Sequence, residues 1–265
     1  MDAFDVYVDG IGFWAPGVPD WPSLRRVLDS GEPIAVDAKA RPSPKLLPPT
    51  ERRRAPEPVL IASEAAGQAC AMAGRDASAL ACVFTSTHGD LAITDAMCAT
   101  LAADPRELSP TRFHNSVHNA PAGYWTVATQ CHASATAISA AHASFAAGLF
   151  EAAIEVEADG EPVLLSAYDI AARGPLAEVA PSTLPFATAI VLSPTRGPAS
   201  LARLSLKMTQ QLALPTELPP ALEGLTGNPM AAQSLPLLVA LAQGNPADVA
   251  LAAGAKTSLL IVVTP

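Results

Sequence analysis

The run VATQCHASATAIS, residues 127–139, constrains the fold more than any other stretch, because it reads in two registers. In one, Cys131 opens a helix. A helix N-terminus stabilises a thiolate, and A-T-x-C is how many acyl-transferring cysteines are introduced. That helix would run through Gly148 to Glu157, more than 25 residues, with 135–141 inside it. Such a length is uncommon in a domain, where helices average about three turns. In the other register 116–130 is a helix, 134–140 a strand, 143–158 a second helix and 162–168 a strand. Every element then has an ordinary length, and Cys131 falls in a connection.

The second register agrees with the rest of the chain. Phe4, Val6 and Val8 alternate with polar residues as a strand does, and Pro22, after Asp20 and Trp21, opens a short helix at 23–28. Six prolines between residues 40 and 58 predict an irregular segment. An alanine-rich helix is expected at 59–73, a core-type strand at 79–85, a helix at 91–103 and a last strand at 258–264. Strands alternating with helices imply an α/β fold.

Half of the 265 residues are hydrophobic, enough for a single well-buried core. Sixteen lysines and arginines against 25 acidic residues give a net charge of −9, which leaves little to neutralise phosphates, so a nucleic-acid partner is not expected. The aspartates of MDAFDVYVDGIGF do not suit a secretory leader, and no apolar run reaches the ~18 residues of a membrane span. A cytoplasmic protein is expected. Cys70, Cys82, Cys98 and Cys131 show no CxxC spacing and lie among apolar or small residues, so buried reduced thiols are expected, with no disulfide, zinc or cofactor.

On the second register, AGYWTVATQCHASATAISAAH (residues 122–142) resembles, without gaps, the approach to the active site in β-ketoacyl synthases, where an A-G helix leads through a turn and a strand to the nucleophile. The family's catalytic cysteine position is then His142. Further on, EGLTGNPMAAQSLPLL (residues 223–238) resembles the ketosynthase segment K-S-x-T-G-H and its following helix, with Glu223 at the lysine position and Asn228 at a catalytic histidine position. Gly254, Ala255, Lys256 and Thr257 stand where a Gly-Phe-Gly-Gly loop would precede the last strand. Decarboxylative condensation needs a thiolate and two imidazoles. All five histidines lie between His88 and His142, so none is available downstream.

The resemblance therefore implies a thiolase-like layered α/β fold over 1–265, a single shortened ketosynthase-like domain, with proline-rich irregular segments near 40–58 and 213–221. Pro215, Pro219 and Pro220 mark where a longer ketosynthase carries extra structure. It implies a chain-length-factor-like subunit, similar to the compact ones of aryl-polyene-type pathways. Such a subunit is not catalytic alone, forms a heterodimer with a full-length ketosynthase, and meets its acyl carrier protein. Residues 111–118 would face the neighbour's acyl tunnel, with Phe113, His114, Val117 and His118 as candidates for its gate or interface, Phe113 first. Phe113 also reads as an ordinary core or interface aromatic. His114 and His118 have the i, i+4 spacing of helix metal ligands but lack a third ligand, and no metal is expected. Arg52, Arg53 and Arg54 are candidates for docking the acidic carrier protein, or are a solvated loop end. His142 is expected to be a satisfied polar residue plugging a pocket. Two alternatives stand beside this reading: a cysteine-dependent acyltransferase or thioesterase using Cys131 with His132 or His118, and a homodimeric acyl-binding scaffold.

Overall fold

In a computed structural model, which describes residues 3–212 and 216–265, strand β1 (Phe4–Trp14) enters the middle of an eight-stranded mixed sheet. Helix α1 (Trp21–Ser30) follows, its first turn capped by Asp20, whose carboxylate accepts from the Ser23 amide at 2.8 Å, and its end set by Gly31 in the left-handed region. Then come α2 (Pro49–Arg54), α3 (Glu57–Ala73), β2 (Ala81–Thr85), α4 (Leu91–Ala103), α5 (Pro110–Asn115) and α6 (Ala120–Thr129). The edge strand β3 (Ala135–Ile138), α7 (Ser144–Asp159), β4 (Val163–Asp169), β5 (Phe186–Ser193) and β6 (Ala202–Thr209) lead to α8 (Pro229–Gln243), β7 (Ala247–Ala252) and β8 (Ser258–Thr264). The strand order is β3-β2-β4-β5-β1-β6-β8-β7.

β3, β2 and β4 are parallel, and every other neighbouring pair is antiparallel. Helices cover both faces of the β2-β4-β5-β1 region. One core packs α1, α7 and α8 on the sheet, the other packs α3 and α6 on the opposite face. That double cover explains why β4 and β5 are buried at every position and read as continuous apolar runs. β6, β8 and β7 alternate instead: Leu204, Leu206, Ile261 and Val263 are buried, while Lys207 and Val262 are exposed. The α/β class and the layered architecture of a ketosynthase fold are thus present.

Several elements depart from the sequence expectations. The 40–58 segment is not wholly irregular: two prolines open α2, which ends in Arg52, Arg53 and Arg54, and Pro58 sits in the first turn of α3, where a missing amide costs nothing. The helix expected at 116–130 begins only at Ala120, with Pro121 in its first turn, while α5 ends at Asn115. Residues 186–209 and 247–252, unassigned from sequence, hold β5, β6 and β7. Of the second proline-rich segment, Pro215 and residues 213–214 lie outside the described residues, and Pro219 and Pro220 lead into a 3-10 turn at Pro220–Leu225. Cys98, expected to be buried, is exposed on α4, whereas Cys70, Cys82 and Cys131 are buried.

Candidate functional site

Because β2, β3 and β4 run parallel, their carboxyl ends open at one end of the sheet, where α/β proteins place their sites. Three segments converge there: the loop after β2, the turn between β3 and α7, and the N-terminus of α8. Asp169, the last residue of β4 and 4% exposed, ties the first of these down. Its carboxylate accepts from the Ser86 hydroxyl at 2.8 Å, the Thr87 amide at 2.9 Å and the Thr87 hydroxyl at 2.6 Å. Burial raises its pKa; the Thr87 and Ser86 hydrogen bonds and the nearby His88 oppose that rise. The sequence reading missed Asp169, since one acidic residue at a strand end carries no local signal of three convergent donors.

The β3–α7 turn holds His142. Ala141 has φ +48°, a left-handed conformation that costs a non-glycine residue about 1–3 kcal/mol. Ser144 holds it there: its hydroxyl donates to the Ala141 carbonyl at 2.7 Å and accepts from the Ala140 amide at 3.0 Å. Ser139 donates to the Thr87 carbonyl at 2.9 Å, joining the turn to the β2 loop. Gln233 of α8 caps α7, its side-chain oxygen accepting from the Phe145 amide at 2.9 Å. The strained turn therefore presents residue 142 at the mouth of α7. His142 itself is exposed and makes no side-chain hydrogen bond to any described residue, which corrects the expectation of a satisfied plug.

Asn228 is fully buried at the N-terminus of α8. Its side-chain oxygen accepts from the amides of Met230 at 2.9 Å and Ala231 at 3.1 Å. Its amide nitrogen donates to the Leu184 carbonyl at 2.7 Å and the Asp169 carbonyl at 3.1 Å, with the Ser182 hydroxyl at 3.3 Å. An amide has two N–H donors and one acceptor oxygen, so its whole capacity is spent inside the protein. It caps a helix and can donate nothing to a substrate. Glu223 is exposed in the preceding 3-10 turn.

The geometry of Cys131 settles its register. Helix α6 ends at Thr129, Gln130 takes the left-handed conformation at φ 57°, and the Cys131 amide donates back to the Thr126 carbonyl at 2.9 Å. The thiol thus lies just past the C-terminus of a helix, not at the N-terminus that the first register required. It is 7% exposed and donates to the Leu80 carbonyl at 3.2 Å, while His132 beside it is exposed. Burial pushes the Cys70 and Cys82 thiols up to about 12.

Phe113, on α5, is 59% exposed, and Val117, in the turn after it, 46%. His114 is exposed; His118 is half-buried, with Nε2 3.2 Å from the Ser86 carbonyl. Since α5 ends at Asn115, the two histidines do not share a helix face, and the premise of an i, i+4 ligand pair fails. Among the described residues no three His, Cys, Asp or Glu side chains gather as metal ligands. A cavity of about 530 Å³ lies between α2 and α6, walled by Leu47, Glu51, His114, Val117, Tyr124 and Val127. Arg53 and Arg54 are exposed at the end of α2, and Arg52 donates to the Ser43 hydroxyl at 3.1 Å. These cations offset the partial negative charge of the helix end.

Residues 29–254 match the family described as the β-ketoacyl synthase N-terminal domain. The chain belongs to the β-ketoacyl synthase family. Its structure is similar to a chain of the ketosynthase ApeO in complex with its chain length factor ApeC from Xenorhabdus doucetiae, with TM-score 0.72, 24% identity, and 99% of each chain covered. It is also similar to a chain of AntDE:AntF, a type II polyketide synthase acyl carrier protein in complex with its ketosynthase bound to the hexaketide (TM-score 0.73, 13% identity, 100% of this chain and 99% of that one). A β-ketoacyl synthase from Burkholderia phymatum aligns less completely, with TM-score 0.60, 14% identity, 82% of this chain and 66% of that one. Among curated proteins none matches the sequence. This chain carries histidine at 142, after the left-handed Ala141, and asparagine at 228, capping α8. Among the described residues no helix is long and apolar enough to cross a membrane.

Proposed function

We propose that the chain is a non-catalytic, chain-length-factor-like subunit, acting as one unit over 1–265. It pairs with an active β-ketoacyl-ACP synthase and shapes that enzyme's acyl tunnel in polyketide- or fatty-acid-type synthesis of the aryl-polyene kind. The observation that carries this reading is Asn228: at a catalytic histidine position, every hydrogen-bonding group of the amide is consumed in capping α8 and bridging Asp169 to Leu184. The scaffold is kept and the chemistry is gone. His142 agrees with it, because an imidazole stands where decarboxylative condensation requires a thiolate. The similarity to chains of a complex described as a ketosynthase with its chain length factor supports the same role.

Phe113, with His114, Val117 and His118 beside it, is the element that reaches the partner's tunnel. Its exposed ring is free to fill a space supplied by another chain, and a bulky group there stops elongation by steric exclusion. Arg52, Arg53 and Arg54 would receive the acidic carrier protein, whose attraction steers encounter more than it adds affinity. The setting is the cytoplasm. The test is product length: with the ketosynthase co-expressed, Phe113→Ala should shift the products to longer chains, and an unchanged distribution contradicts the gate. The cysteine-dependent alternative gains nothing from the burial of Cys131 or its place at a helix C-terminus.

A further inference from the structure

Strand β1 is paired on one side by β5 as far as Trp14, but on its other side β6 leaves it at Val8. Helix α3 takes over that edge. Gln68 and Met72 of the helix, with Arg75 just past its end, meet Phe13, Ile11 and Asp9, which alternate along the strand. The Gln68 side-chain oxygen accepts from the Phe13 amide at 3.1 Å, and its nitrogen is fixed by the Pro19 carbonyl at 2.9 Å and Glu64 Oε1 at 3.1 Å. Arg75 reaches the buried Asp9 carboxylate at 3.4 Å. Between these two contacts the amide of the buried Ile11 donates to the Met72 sulfur at 3.3 Å. Of the three contacts only the middle one is made by an oxidisable group. Met72 is 40% exposed, whereas Met97 and Met208 are partly buried and Met230 is fully buried.

We propose that Met72 is an oxidation-sensitive latch between α3 and β1, opened when a hydroperoxide converts its thioether to the sulfoxide. This does not rest on the subunit reading above. The sulfur attacks one peroxide oxygen: an S–O bond forms, the O–O bond breaks, and the remainder leaves as an alcohol, or as water when the oxidant is hydrogen peroxide. One sulfur lone pair faces the Ile11 N–H, and no oxygen atom fits between sulfur and nitrogen 3.3 Å apart, so the oxygen adds from the solvent side. In the sulfoxide the sulfur is the positive end of the S–O dipole and repels the N–H it held. A buried amide without an acceptor is costly, and the last turn of α3 lifts until water reaches it. Gln68 and Arg75 keep their partners, which confines the loosening to the end of the helix. Reduction of the sulfoxide restores the sulfur and closes the latch again.

The experiment treats the whole purified chain with hydrogen peroxide, in a Cys98→Ser background because that thiol is exposed too. It reads peptide masses, the melting temperature and hydrogen exchange at the Ile11 amide. Met72 should gain one oxygen before Met97, Met208 and Met230. Melting should then fall by roughly 3–6 °C, as for one orphaned amide in a chain of this size, and the Ile11 amide should exchange about tenfold faster or more. Methionine sulfoxide reductase should reverse both changes. Met72→Leu, similar in volume but unable to accept, should start at the lowered melting temperature and move no further with peroxide. Should Met72→Leu fail to fold, the peroxide and reductase treatments of the Met72 chain carry the test. Oxidised Met72 with melting and Ile11 exchange unchanged overturns the latch. So does oxidation of another of these methionines first, or an equal fall with peroxide in Met72→Leu.

Discussion

Asn228 shows how one buried amide can hold several segments of a fold together. A histidine there could offer an N–H to a thioester oxygen, while the amide turns inward to hold the first turn of α8 and two loop carbonyls. Asn228→Ala would free the amides of Met230 and Ala231 and leave the carbonyls of Asp169 and Leu184 buried without this donor. The expected loss is about 3 kcal/mol, a lost cap plus unsatisfied carbonyls. For a chain of this size it appears as a melting temperature lower by roughly 6–12 °C, read by calorimetry. Unchanged melting would mean that the cap does not support the fold. The absence of a cysteine at 142 and of histidines downstream was legible in the sequence. What the remaining groups do instead was not, because the groups that the Asn228 side-chain nitrogen and the Asp169 carboxylate bind lie 44 to 83 residues away along the chain.

Among the elements, lengths and order were readable wherever apolar period and caps agreed. Leu91–Ala103 and Ser258–Thr264 fall where the sequence puts them, and the strand between α6 and α7 that displaces Cys131 from a helix start is present as β3. The middle of the chain was less legible for two reasons. Prolines in the first turns of α2 and α6 look like breaks but begin helices, and β5, buried on both faces, lacks the alternation that marks a half-buried strand. Two glycines inside β1 read as weak strand residues. Gly12 is required because α3 crosses there so closely that a Cβ would collide with the carbonyl oxygen of Ala65, a backbone atom that cannot swing aside. Gly12→Ala should therefore cost about 3 kcal/mol, at the upper end for overpacking, with reduced soluble yield and a lowered denaturation midpoint. A midpoint equal to wild type would mean that α3 can lift from the sheet.

The whole molecule is asymmetric in a way that suits a subunit. Its β2-β4-β5-β1 region is helix-covered on both faces, while the sheet stops at β3 with an open edge and, at the far end, β6, β8 and β7 are covered on one face only. Phe113 and Val117 are about half-exposed, Val127 on α6 is highly exposed, and Glu155, bonded to Thr136 of β3, is only partly satisfied. These are unfavourable surfaces for a free monomer, and a partner chain would bury them. The layered α/β class and the ketosynthase resemblance were available from residues 122–142 and 223–238 alone. The open edge and the spent amide required the assembled sheet, since both depend on which strands become neighbours. The most direct measurement exposes the purified one-to-one complex with the ketosynthase to acyl carrier protein charged with substrate, then determines the denatured mass of each chain. Acyl mass on the ketosynthase alone, with this chain unmodified, is the expected result; acyl mass on this chain, lost in Cys131→Ala, would contradict a non-catalytic role.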